Sequence, residues 1–120
     1  MSVYIVQNQM RRAPGNSELV PRYDFTAAER YGPLKFLLGP SAGPFNPDSI
    51  ITELHEKLSE FSSEDFLVLV GNPCLIAWAC SIAADYNEGD LQLLQWGRGK
   101  YQVIKVRDLF KMDRPVEDGI

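Results

Sequence analysis

Hydrophobic positions along this chain fall into short runs closed by glycine or proline, and into two longer stretches where they recur every three or four residues. Ser2 to Val6 is a short apolar run suited to a buried strand, and Leu34 to Leu38 is a second, stopped by Gly39. Phe66 to Val70 is continuously apolar between Asp65 and Gly71, the pattern of a strand covered on both faces. Ile50, Ile51, Leu54, Leu58 and Phe61 keep to one helical face and predict a helix from Asn46-Pro47 to about Phe61, with Glu53, Glu56, Lys57 and Glu60 in water. Asn72-Pro73 opens a second helix through Tyr86 that is apolar almost all round, which predicts deep burial. Leu91 to Trp96 and Tyr101 to Val106 then predict a hairpin turning at Gly97-Arg98-Gly99-Lys100.

The remaining segments are polar. Residues 7–22 hold Arg11, Arg12, Pro14, Gly15, Asn16 and Pro21 and read as a long loop. Thr26 and Glu29 have capping-box spacing before one or two helical turns closed by Gly32-Pro33. A helical turn at Leu109 to Met112 and a frayed tail at 113–120 are expected at the end. The order of elements predicts a single α/β domain over 1–120, with a partly parallel central sheet, two main helices and a C-terminal β-hairpin.

Composition narrows the physical class without naming a function. The 120 residues are 45% apolar and 23% charged, ordinary values for a soluble domain that needs neither disulfides nor a metal to fold. No run approaches the ~18 apolar residues of a membrane span, and Gln7, Asn8 and Gln9 stand where a secretory leader would carry its apolar core. The net charge of −4 is unevenly spread: +1 over residues 1–33, −7 over 34–95 and +2 over 96–120. Arg98, Lys100, Lys105 and Arg107 fall in a stretch free of acids, so an acidic body ends in a basic hairpin.

Candidate chemistry is sparse. One histidine, His55, and two cysteines, Cys74 and Cys80, do not make a zinc site, and no other cofactor is implied. The two cysteines lie on different sides of one helix, cannot pair there, and read as buried thiols. Cys74 stands in a first helical turn, where a thiol can become nucleophilic, but no imidazole is placed to assist it. A packed side chain is the simpler reading. Ser81 lacks a nucleophile elbow, and Glu53, Glu56 and Glu60 describe a solvated helix face, so no catalytic residue is assigned. Asp24, beside Tyr23 and Arg22, either orients a ligand or caps the short helix that follows.

The sharpest feature is the strand–Gly–Asn–Pro–helix joint, present at 39–47 with an insertion and at 71–73 without one. Helix N-termini beyond the carboxyl ends of strands collect anionic ligands, and Ser41, Gly43, Asn46, Gly71, Asn72 and Cys74 would line such a crevice. The plain alternative is that these residues only stop strands and cap helices. Neither a dinucleotide fingerprint nor a phosphate loop is present. Trp96, Arg98, Lys100 and Tyr101 form a second candidate surface. Aromatic faces beside cations suit protein partners and also single-stranded nucleic acid; the acidic total favours protein.

Val3-Tyr4-Ile5-Val6-Gln7-Asn8-Gln9, Val20-Pro21-Arg22-Tyr23-Asp24, Pro44-Phe45-Asn46-Pro47, Val70-Gly71-Asn72-Pro73, Ile82-Ala83-Ala84-Asp85-Tyr86-Asn87 and Leu94-Gln95-Trp96 together resemble a family of small proteins encoded by tailed, mainly short-tailed, bacteriophages. The resemblance spans nearly the whole chain. It implies a protein made in the cytoplasm of an infected bacterium, where small non-structural phage proteins bind host enzymes, defence systems or nucleic acid. The joint is also similar to the ligand-binding edge of Rossmann-like nucleotide sensors, an analogy of fold alone. The expected role is a non-enzymatic accessory protein that binds a bacterial or phage protein and alters its activity, in host takeover or against defence. The alternatives are an anionic nucleotide or signalling ligand at the helix N-termini, single-stranded nucleic acid at the hairpin, and an enzyme using Cys74. A membrane is not an expected partner, and a homo-oligomer is compatible with the sequence.

Overall fold

The computed structural model describes residues 1–111. The expected 113–120 tail lies outside them. Strands β1 (Val3–Gln7), β4 (Leu34–Leu38), β5 (Phe66–Val68), β6 (Leu91–Gly97) and β7 (Lys100–Val106) form one sheet in the order β4-β1-β5-β6-β7. The first four of these, in sheet order, are parallel, and β7 returns antiparallel to β6. Helices α1 (Pro47–Leu58) and α2 (Pro73–Tyr86) connect β4 to β5 and β5 to β6. The α/β class expected from the alternating patterns is therefore the one observed.

Strand pleating divides the core in two. Tyr4, Val6, Leu37, Leu67 and Leu91 face α1 and α2, where Ile50, Leu54, Leu58, Leu75, Ala79 and Ala83 meet them. Val3, Ile5, Phe66, Val68 and Leu94 point to the other face and are covered by Phe25 and Ala28 of a 3-10 helix, Thr26–Tyr31, and the residue before it. This division follows from handedness. Right-handed crossovers that run in opposite directions along a sheet must lie on opposite faces. The β1-to-β4 connection, which contains the 3-10 helix, runs one way, while the connections through α1 and α2 run the other.

Several local expectations change. Residues 7–22 are not a bare loop: β2 (Met10–Arg12) pairs antiparallel with β3 (Leu19–Pro21) as a separate two-stranded ribbon. Its strands are three residues long and none of their residues is buried, so no apolar alternation announces it. Helix α1 ends at Leu58; Phe61 is buried, but its N–H closes a turn on the Leu58 carbonyl at 2.9 Å. Strand β5 ends at Val68, two residues early. The Thr26/Glu29 capping box does not form, because Asp24 accepts from the Thr26 N–H at 2.9 Å and its hydroxyl at 2.6 Å. Asn46 makes no side-chain cap, whereas Asn72 accepts from the Cys74 N–H at 2.9 Å.

Helix α2 buries Leu75, Ala79 and Ile82 to Ala84 but leaves Cys74, Ala77, Ser81 and Asp85 exposed, since the sheet covers one side of it and α1 only part of the rest. Both cysteines are free, and Cys74 is exposed where a buried thiol was expected. Leu109 and Phe110 form a bend with the Lys111 N–H 3.2 Å from the Asp108 carbonyl; Met112 lies outside the described residues.

Candidate functional site

Strand β1 lies between β4 and β5, the strands that lead into the two helices. Those two strands stand about two strand spacings, or ~10 Å, apart. The last residue of β1 fills that interval. Gln7 is buried, and its Nε2 donates to the carbonyls of Gly39 at 3.1 Å and Ala42 at 2.9 Å, while its Oε1 accepts from the Asn72 N–H at 3.0 Å. One amide thus clamps the loops after β4 and β5. Gly71, at φ +132°, completes the clamp: a Cβ there would stand 2.6 Å from the Gln7 Cβ and 2.8 Å from its Oε1. Ser41 and Asn46 are exposed on the outer loop, Gly43 is half-buried beside them, and Asn72 and Cys74 lie on the far side of Gln7.

A cleft of about 650 Å³ opens on the sheet face away from the helices, at the carboxyl end of β5 and alongside the second half of β6. Val68, Leu93 and Leu94 contribute from the strands, Leu69 to Gly71 from the β5 exit, and Tyr23 to Phe25 from the segment before the 3-10 helix. Trp96 and Tyr101 of the β6–β7 hairpin close the remaining side. Gly71 belongs to both the clamp and the cleft, so the two features share one support.

The hairpin is held out by its own geometry. β5 pairs with β6 only at Leu67–Leu93 and Val68–Leu94, so Gln95 to Gln102 extends past the parallel strands as a two-stranded ribbon. Arg98 and Gly99 both have positive φ, 56° and 78°, as a type I′ two-residue turn requires. Trp96 and Tyr101 are directly paired across the strands, and their rings meet edge to face with centroids 4.9 Å apart. Trp96 remains 55% exposed, and Arg98 and Lys100 are exposed at the tip. All four residues singled out in the hairpin therefore occupy one projecting end.

Charge at the cleft comes from one group. Asp24 is its only ionised lining residue, and no cation pairs with it among the described residues. The two hydrogen bonds from Thr26 hold its carboxyl below the usual range. Burial, then the Asp24 charge, pushes the Tyr101 phenol up, which places these side chains in one electrostatic neighbourhood. Arg22 lies over the Tyr23 ring at 5.8 Å. Periodicity did not reveal this cleft, because its residues come from four segments far apart along the chain; the sequence showed Tyr23 with Asp24, and Trp96 with Tyr101, only as separate signals.

Other candidate chemistry is separated from these features. The His55 Nδ1 lies 2.9 Å from the Tyr86 hydroxyl, tying α1 to α2 far along the chain from Cys74. Among the described residues no group of three or more His, Cys, Asp and Glu side chains is arranged to hold a metal ion. No helix there is long and apolar enough to cross a membrane.

Residues 1–107 match the family model described as Phage Pam3 gp32-like protein. The chain belongs to that family. The match covers every strand and helix described above, including the clamp, the cleft and the hairpin, and agrees with the resemblance to phage-encoded proteins. Comparisons with curated proteins and with solved structures returned no match.

Proposed function

We propose that this phage protein is a non-enzymatic accessory factor that binds a bacterial or phage protein through the β6–β7 hairpin and the cleft beneath it, altering that partner's activity in the infected cell. The observation that supports this reading is the projecting pair of exposed Trp96 and half-buried Tyr101, with Arg98 and Lys100 exposed beside them at the rim of an aromatic cleft. Trp, Tyr and Arg are the residues that most often anchor protein interfaces. Single-stranded nucleic acid fits less well, because Asp24 puts a negative charge where phosphate or a stacked base would approach. Capture of partners from infected-cell lysate tests the reading: Trp96→Ala and Arg98→Ala should each lose the partner that wild type retains. An identical set of captured proteins would remove the hairpin from the interface.

An anionic ligand at Ser41, Gly43, Asn46, Gly71, Asn72 and Cys74 has weaker support. The Asn72 N–H is already taken by the Gln7 amide, and the Cys74 N–H by the Asn72 side chain, so two of the donors such a ligand would use have partners. A nucleotide at 100 times its Kd would stabilise the fold by about 2.7 kcal/mol, so a thermal-shift screen decides this alternative.

A further inference from the structure

Building on the hairpin reading, we infer that the cleft between the hairpin and Tyr23–Phe25 takes a cationic side chain, an arginine or lysine flanked by apolar residues, from the partner protein. The walls supply aromatic surface from Trp96 and Tyr101, whose ring faces attract cations through their quadrupoles, as the Tyr23 ring already does for Arg22 at 5.8 Å. Asp24 adds the one formal charge, and Thr26 occupies only its Oδ1. Apolar strand residues, Val68 and Leu94 among them, would accommodate the aliphatic stem of the incoming side chain. Among the described residues no lysine or arginine lines the cleft or forms an ion pair with the carboxylate. Charge complementarity therefore selects a positive occupant at the exposed Asp24 carboxylate, while Arg98 and Lys100 at the hairpin tip remain available to acids elsewhere on the partner.

The test uses the full chain, isotope-labelled, and two tripeptide probes: acetyl-Leu-Arg-Leu-amide and its neutral isostere with citrulline in place of arginine. Amide and indole resonances are followed during titration, with the Trp96 indole signal identified from Trp96→Phe. The arginine peptide should shift Trp96, Tyr101 and Gly71 and bind about fivefold more tightly than the citrulline peptide, in line with one cation–π contact and one exposed ion pair. Asp24→Asn, which retains an acceptor for Thr26, should leave distant resonances in place and erase most of that preference. Equal binding of the two peptides, or no shift at ~10 mM of either, overturns the inference. So does an arginine preference undiminished in Asp24→Asn, a stronger response to a thymidine oligonucleotide, or concentration-dependent shifts without peptide that put a second copy in the cleft. Partner capture that survives Asp24→Asn but is lost in Trp96→Ala would leave the hairpin reading standing and remove the cation alone.

Discussion

Gln7 shows how one side chain can define a sheet edge. Its amide has three partners on two loops, each more than thirty residues away in sequence. Gln7→Leu keeps the volume but leaves those groups without their bonds, which should cost about 2 kcal/mol in denaturant unfolding. Gly71→Ala should cost a similar amount, ~1–3 kcal/mol, from a left-handed backbone and overlap with Gln7. Unchanged midpoints would mean the clamp contributes nothing. Asp24 has a depressed pKa in the folded state, so its contribution is fully present above its unfolded pKa of ~3.9 and is lost as pH falls through the lower folded value. The stability difference between wild type and Asp24→Ala should therefore shrink in acid; a constant difference from pH 7 to pH 2 would contradict this. The cysteines separate as well. Burial raises the Cys80 pKa and limits access, while Cys74 is exposed, so mass spectrometry after brief iodoacetamide treatment should find Cys74 modified first.

At the scale of elements, the hairpin is the part most open to a clean test. Its turn carries Arg98 at φ 56°, a conformation that Asn and Gly adopt more readily than Arg. Arg98→Asn creates the preferred Asn-Gly turn and should raise stability by up to ~0.5 kcal/mol while removing a rim cation. Higher stability combined with weaker partner capture would separate fold from function at one residue. Loss of stability would show that Arg98 contributes to the fold. Most sheet strands and both helices were legible from hydrophobic runs and period because they bury a face, whereas β7 buries no residue and was legible from the turn chemistry that joins it to β6. The β2–β3 ribbon was not, since its strands are three residues long and rest on backbone hydrogen bonds and loop contacts such as Arg22 N–H to the Gln9 carbonyl at 2.8 Å. Helix α1 was overextended because Phe61 is buried without being helical.

Over the whole molecule, stability should follow burial. β1 and β5 are central strands covered on both faces, whereas the β2–β3 ribbon forms no part of the main sheet. Hydrogen exchange should be slowest for Val3 to Val6 and Phe66 to Val68, and faster by orders of magnitude for Met10 to Pro21. Equal protection of the two regions would contradict this division of the core. The charge asymmetry has a structural counterpart: the basic stretch lies in the edge strand β7 and its turn, projecting from a body of opposite sign. Sequence alone determined the α/β class, the main elements, the turn at Arg98-Gly99 and the aromatic, basic hairpin, because each follows from local period or local turn chemistry. Only the tertiary structure decided that β1 lies between β4 and β5, that Gln7 ties together the loops after them, and that Tyr23 to Phe25 meets Trp96 and Tyr101 around one cleft. Those outcomes depend on strand order and crossover handedness, which bring together residues whose separation along the chain leaves no local pattern.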